Sequence, residues 1–289
     1  SAKLTSDDKW ILLSLDKAIA EVTDALREYR FNEATSTLYR FFWNEFCDWY
    51  LEASKAVLNG TDAAQKANTL AVMDFILSHT LRLMHPFLPF VTEQLWHGLG
   101  YNTDMPADQG GTTIMFAPWP KPLGEDFRGG YGIDETDERF VEAKYELVTK
   151  ARNLRREFNI SGAKKVRFII RTHNELPAYE AAVLKLLLNA ESVEFNVDVK
   201  KGTPSVGTQL GDLFLPLDGL IDVAAEKARL NKELEKIDAE IVKVQEKLNN
   251  PTFAQKVPPA VLEEHQKRLA DWQSKREAVL RNLRLLEGE

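Results

Sequence analysis

Residues 31–58 read FNEATSTLYRFFWNEFCDWYLEASKAVL. Leu38, Phe42, Phe46, Trp49, Ala53 and Val57 recur three and four apart, the spacing of one apolar stripe on a helix. Tyr39, Trp43, Cys47 and Tyr50 make a second apolar stripe beside it. A helix apolar on two faces is expected inside a helical bundle, not on its outside. Few polar residues are left over: Arg40, Asn44, Glu45, Asp48 and Glu52. They read either as the solvated strip of a core helix or as a functional face.

Helical patterns continue on both sides. Residues 7–29 carry an apolar face of Trp10, Leu13, Ile19, Val22 and Leu26, with Asp7 or Asp8 placed to cap it. Asn59-Gly60 stops the 31–58 helix. Leu70, Met73, Leu77, Leu81 and Met84 mark a helix over 64–84, which His85-Pro86 ends. Pro89 starts another through Trp96. His85 has no partner at metal spacing and reads as a turn histidine. Residues 98–133 are rich in Gly, Pro and Asp and read as a surface loop docked through Pro118-Trp119-Pro120. The glycines of GGTT and FRGGYG lack the lysine of a phosphate loop. Val141, Tyr145, Val148, Ala151, Leu154 and Phe158 then mark a long helix over 134–158.

Beyond it the pattern changes. VRFIIR at 166–171 reads as a strand, 176–188 as a helix, and VEFNVDV at 193–199 as a strand with one covered face. GDLFLPL at 211–217 reads as a third strand, with Pro216 favouring a sheet edge. The last segment reads as an antiparallel coiled-coil hairpin. Leu230, Leu234, Ile237, Ile241, Val244 and Leu248 alternate by four and three, and Leu262, His265, Leu269, Trp272, Arg276, Val279, Leu283 and Leu286 continue the alternation beyond NNPTFAQKVPP. The expected fold is mainly α: a helical bundle over 1–160, a small α/β insert over 161–222, and the hairpin over 223–289.

The bulk composition excludes several classes. The 289 residues are 44% hydrophobic, with no run of transmembrane length and no signal-peptide core at the N-terminus. The single cysteine, Cys47, reads as a small core residue and fits a reducing, cytoplasmic setting. No paired carboxylates, second cysteine or histidine cluster make a catalytic or metal constellation. The net charge is −7, but residues 150–171 hold eight basic side chains and one acidic, against four and ten over 104–146. Local sign matters more than the total when the partner is a polyanion.

YRFNEA at 29–34, LYRFFWNEFCDWYLE at 38–52 and HPFLPFVTEQLW at 85–96 resemble the anticodon-binding domain of the valyl-tRNA synthetase family. NNPTFAQKVPP resembles the tip of that family's C-terminal arm, and the likeness covers nearly all of the chain. It implies a partner, tRNA and specifically tRNA(Val), with the bundle on the anticodon region and the arm on the outer corner. It also implies that ATP belongs to a catalytic domain carrying HIGH and KMSKS signatures, which this chain lacks. The expected protein therefore holds no cofactor, is inactive alone, is a monomer and touches no membrane.

Cations for phosphates and planar groups for unstacked bases are what such a surface needs. On the bundle Lys9, Trp10, Arg40, Asn44, Asp48, Lys150, Arg152, Arg155 and Arg156 are expected to face RNA. On the arm they are Lys243, Lys247, Lys256 and Arg268. Residues 225–289 hold 13 basic and 12 acidic side chains, which favours backbone positioning over a strong clamp. Two other readings compete: a coiled-coil module recruiting a protein, and the equivalent region of an isoleucyl- or leucyl-tRNA synthetase.

Overall fold

The computed structural model describes residues 3–106, 110–172, 174–220, 222–250, 253 and 257–287. They form two compact units. One holds residues 1–148 and 176–187, the other 149–175 and 188–289. The chain therefore passes from one unit to the other three times.

In the first unit, α1 (Ser6–Arg27) is the most enclosed helix, with Trp10, Ile11, Leu12, Leu13, Leu15, Ala18, Ile19 and Val22 all buried. Its cap is Thr5, not Asp7 or Asp8. The Thr5 hydroxyl accepts from the Asp8 amide while Asp8 accepts from the Thr5 amide at 2.9 Å, a reciprocal capping box. Then come α2 (Phe31–Tyr39), a π-helical run π1 (Arg40–Leu51) and α3 (Glu52–Leu58), continuous in helical sense. The π run changes the phase of the side chains. Buried residues fall at Leu38, Phe41, Phe46, Tyr50, Ala53 and Val57, with a step of five across the wide turn between Phe41 and Phe46. The expected second apolar stripe is thereby split. Tyr50 is fully buried, whereas Tyr39 and Trp43 are 62% and 51% exposed. This helix is amphipathic, and the enclosed position belongs to α1.

Helices α4 (Ala63–Met84) and α5 (Pro89–Gly98) follow, separated by the His85-Pro86 turn, in which the His85 ring bonds the Thr92 hydroxyl at 2.7 Å. The 98–133 segment is more ordered than a plain loop. It includes α6 (Tyr101–Asp104), a 3₁₀ turn over Ile114–Phe116 and α7 (Glu125–Tyr131). Trp96 is wholly buried there beside Tyr101 and Ile114, and the Trp119 indole donates to Thr23 at 2.9 Å.

Helix α8 (Glu135–Glu157) runs from the first unit into the second, and α9 (Ala178–Leu187) belongs to the first, packed on α3. A buried ionic cluster holds these helices together. Lys144, with no exposed surface, donates to Asp7 and Glu180, each at 2.7 Å. The Tyr145 and Tyr179 hydroxyls also donate to Asp7. Next to it, Asp8 accepts from the Tyr50 hydroxyl at 2.7 Å and from Thr69 at 3.2 Å. Burial nonetheless raises the Asp8 carboxyl above its ordinary range.

The second unit contains a four-stranded sheet in the order β2-β1-β4-β3. The strands are β1 (Val166–Thr172), β2 (Ala190–Phe195), β3 (Ser205–Thr208) and β4 (Gly211–Phe214). β1 pairs with β2 in parallel, as the intervening helix requires, and with β4 antiparallel. Strand β2 begins and ends three to four residues earlier than its alternation predicts. Asn196 stops it with a left-handed φ of 53°, its side-chain oxygen accepting from the Thr172 amide at 2.9 Å. The 211–214 strand is interior, not an edge, because β3 covers it and Pro216 lies beyond its end. Gly211 opens β4 at φ 136°, where a Cβ would fall 2.0 Å from the Arg171 carbonyl oxygen, so only glycine fits.

Helices α10 (Val223–Leu248) and α11 (Pro259–Glu287) form the arm, packed on each other. Leu230, Ile237, Ile241, Val279 and Leu283 bury their side chains in the seam, with Leu234, Leu269, Trp272 and Leu286 partly covered. The expected heptad positions are therefore the packed ones. No helix among the described residues is long and apolar enough to cross a membrane.

Candidate nucleic-acid interface

The residues expected to face RNA separate into three kinds. The first is core. Trp10 is 6% exposed, with its ring edge-on to Tyr145 at 5.0 Å between centroids, so it offers no face to a base. Arg155 is also buried. Its guanidinium donates to the carbonyl oxygens of Leu188 at 3.0 Å, Ser161 at 2.6 Å and Gly162 at 3.2 Å, and to that of Lys164. Four carbonyls with no carboxylate make it a clasp for the turn after α8, and burial lowers its pKa. The expectation that Arg155 and Arg156 jointly face phosphates is corrected: only Arg156 faces outward.

The second kind is tied to neighbours but reachable. Lys9 is half-buried and paired with Asp137 at 3.2 Å. Arg40 is exposed and bridges Glu21 at 2.6 Å and Glu45 at 3.1 Å. Lys150 is half-buried and donates to the Gly207 carbonyl at 2.8 Å. On the arm, Lys243 pairs with Glu240 at 2.6 Å, and Arg268 lies 3.8 Å from the same carboxylate. The third kind lies open on the surface: Asn44, Asp48, Arg156 and Lys247, while Arg152 is exposed but belongs with those that have a partner. Arg152 and Arg156 are four apart on α8 and share one face. Lys256 lies outside the described residues.

Lys243, Lys247, His265 and Arg268 meet around a hollow of about 400 Å³ on the arm, with Val244, Glu246 and Asn250. Glu240, which also lines it, offsets part of the positive charge, so this surface is mixed rather than strongly basic.

The most distinctive surface is one that stripe counting assigned to the core. Tyr39 and Trp43, 6.3 Å apart between ring centroids, stand over a hollow of about 240 Å³. Thr35, Leu38, Met84, Phe87 and Leu88 complete its lining. At the start of α5, Phe90 is 91% exposed and Leu88 51%. Rings held open to solvent, with Arg40 and Asn44 on the same helix, suit stacking of unpaired bases. One signal for this was present in the sequence. Two adjacent apolar stripes, taken with seven large aromatic residues from position 39 to position 50, exceed what one buried face accepts.

Two families with known members match the chain. The family described as "Anticodon-binding domain of tRNA ligase" matches residues 8–170. "Valyl tRNA synthetase tRNA binding arm" matches residues 222–287. A valine–tRNA ligase of Syntrophotalea carbinolica is 37% identical over 94% of this chain and 30% of its own length. One from Listeria monocytogenes is 35% identical over 97% of the chain and 31% of itself. One from Xanthomonas euvesicatoria is 38% identical over 93% of the chain and 27% of itself. The chain thus spans less than a third of the length of these relatives.

Proposed function

Because the chain belongs to the family of tRNA-ligase anticodon-binding domains, we propose that it is the C-terminal, tRNA-binding portion of a valine–tRNA ligase. In this reading the bundle meets the anticodon region of tRNA(Val) and the arm meets the outer corner. The remainder of the ligase attaches valine at the expense of ATP. The protein works as a monomer in the cytoplasm.

The observation that carries this reading is the exposed Tyr39–Trp43 pair over its hollow, beside Arg40 and Asn44. Phosphate contacts from Arg152 and Arg156 would orient the RNA, and stacking on the aromatic pair would hold a splayed base. The π run supports the assignment, since it is what turns Tyr39 and Trp43 outward while Phe41 and Phe46 stay inside.

The test is filter binding of the chain to tRNA transcripts with valine and non-valine anticodons. Trp43→Ala removes a stacking face that contributes about 1–3 kcal/mol per base. It is expected to weaken binding roughly tenfold and to reduce the preference for the valine anticodon. Unchanged affinity and unchanged preference in this variant would refute the placement of the anticodon here.

A further inference from the structure

A hollow in the second unit plays no part in the reading above. It has a volume of about 230 Å³ and is lined by Lys150, Asn153, Leu154 and Glu157 of α8, Ser205 and Val206 of β3, and Arg281, Asn282 and Leu285 of α11. Its apolar floor is Leu154, Val206 and Leu285, and its rim is polar. Asn282 is the informative residue. It is only 5% exposed, in a helix whose neighbouring Leu283 is in the arm seam, yet its carboxamide makes no hydrogen bond with a described residue. The hollow reaches that amide, so the occupant of the hollow, water or ligand, is its hydrogen-bond partner.

We infer that this hollow receives a single nucleotide unit, a phosphate with its ribose and base. The proposal rests on the tRNA reading for its most natural source, the RNA strand, but its chemistry is that of the hollow. Arg281 and Lys150 offer positive charge to the phosphate. Lys150 is already held in place by the Gly207 carbonyl. Glu157 opposes an anion, but a carboxylate is a good acceptor for ribose hydroxyls. The Asn282 and Asn153 carboxamides each present a donor and an acceptor, the pair that matches a base edge. The apolar floor takes the face of the base. A bare phosphate would leave both the floor and the carboxamides unused, and an apolar ligand would leave Asn282 unsatisfied.

The experiment uses the full chain. Asn282→Leu keeps the volume and removes the edge reader, and Arg281→Gln removes a rim cation. Arg284→Gln is the control, an exposed residue one turn away and outside the lining. In filter binding to the tRNA(Val) transcript, the first two are expected to weaken affinity about fivefold or more, and the control much less. In parallel, 5′-AMP is titrated into ¹⁵N-labelled protein, and the Asn282 side-chain amide signal is followed, with inorganic phosphate as comparison. Movement with 5′-AMP and not with phosphate is expected. Loss of tRNA affinity identifies the RNA strand as the source, whereas a 5′-AMP response with tRNA affinity unaltered identifies a free nucleotide. If Asn282→Leu and Arg281→Gln bind tRNA no worse than Arg284→Gln, and 5′-AMP leaves the amide signal in place, the proposal is overturned while the tRNA reading stands. If the wild-type chain does not bind tRNA, that reading falls, and the 5′-AMP titration alone decides the hollow.

Discussion

Ionic groups are used in opposite ways in the bundle and in the arm. In the bundle, Lys144 is sealed from solvent between Asp7 and Glu180, with the Tyr145 and Tyr179 hydroxyls closing the remaining acceptor sites of Asp7. In the arm, Lys243–Glu240 and Arg276–Asp238 lie on the outside of a thin apolar seam. Desolvation is already complete in the first case, so each group depends on its partners. In the second, water replaces a lost partner at little cost. The bundle should therefore respond to the loss of one ion like a core, and the arm hardly at all.

The largest effect tests that contrast directly. Lys144→Met leaves two buried carboxylates without a cation and is expected to destabilise the first unit by about 3–5 kcal/mol, read as a shift in urea midpoint. A loss under about 1 kcal/mol would show that water reaches the cluster and would dissolve the distinction.

A second, slightly smaller effect depends on pH. The His79 ring is buried beside Arg82, and burial first, then that charge, lower its pKa from 6.5 to about 4. Its nitrogen Nδ1 lies 2.8 Å from the Phe75 carbonyl oxygen, consistent with a neutral ring donating there. The unfolded chain then binds a proton that the folded chain refuses between these values. Stability is full above pH 6.5 and declines as pH falls toward 4, by about 3 kcal/mol. Asp8, raised by burial, acts with the opposite sign in its own range. Replacing His79 by Leu should flatten the slope between pH 6.5 and 4, followed by thermal unfolding at several pH values.

Smaller still is the seam. Ile241→Ala removes one buried side chain from a two-helix core and is expected to cost about 2 kcal/mol. The loss should appear as reduced arm helicity in circular dichroism, with the main unfolding transition intact. A cooperative loss of the whole fold would mean that the arm does not unfold separately from the rest of the chain. Least of all, Arg276→Ala breaks a pair in which both side chains are 44% exposed, and its effect should stay within about 0.5 kcal/mol.

The sequence made the helices legible because a 3.6-residue period needs only apolar spacing. The arm shows this best, since the seam of Leu230, Ile237, Ile241, Val279 and Leu283 coincides with the heptad positions. The exposure of Tyr39 and Trp43 was hidden because the π run adds a step of five that no regular period anticipates. Strand β3, four residues of SVGT, is too short and too polar to stand out, and so β4 looked like an edge. Arg155 could have been found. It lies four residues after Ala151 and three before Phe158, on the apolar stripe itself, whereas Arg152 and Arg156 lie off it. Charge type alone does not separate these arginines, whereas their phase on the helix does. The hollow around Asn282 draws on three separated segments, and no local pattern marks it.

The three passages of the chain between the units have a consequence for how such a protein is divided. Residues 1–148 encode most of the first unit but not α9, and therefore not Glu180 or Tyr179, which complete the cluster around Lys144 and Asp7. A gene cut after codon 148 would translate into a bundle whose sealed lysine keeps one carboxylate and loses the other. No single contiguous reading frame smaller than residues 1–187 supplies the whole first unit. Shuffling of gene segments would thus be expected to carry β1 along wherever the bundle goes.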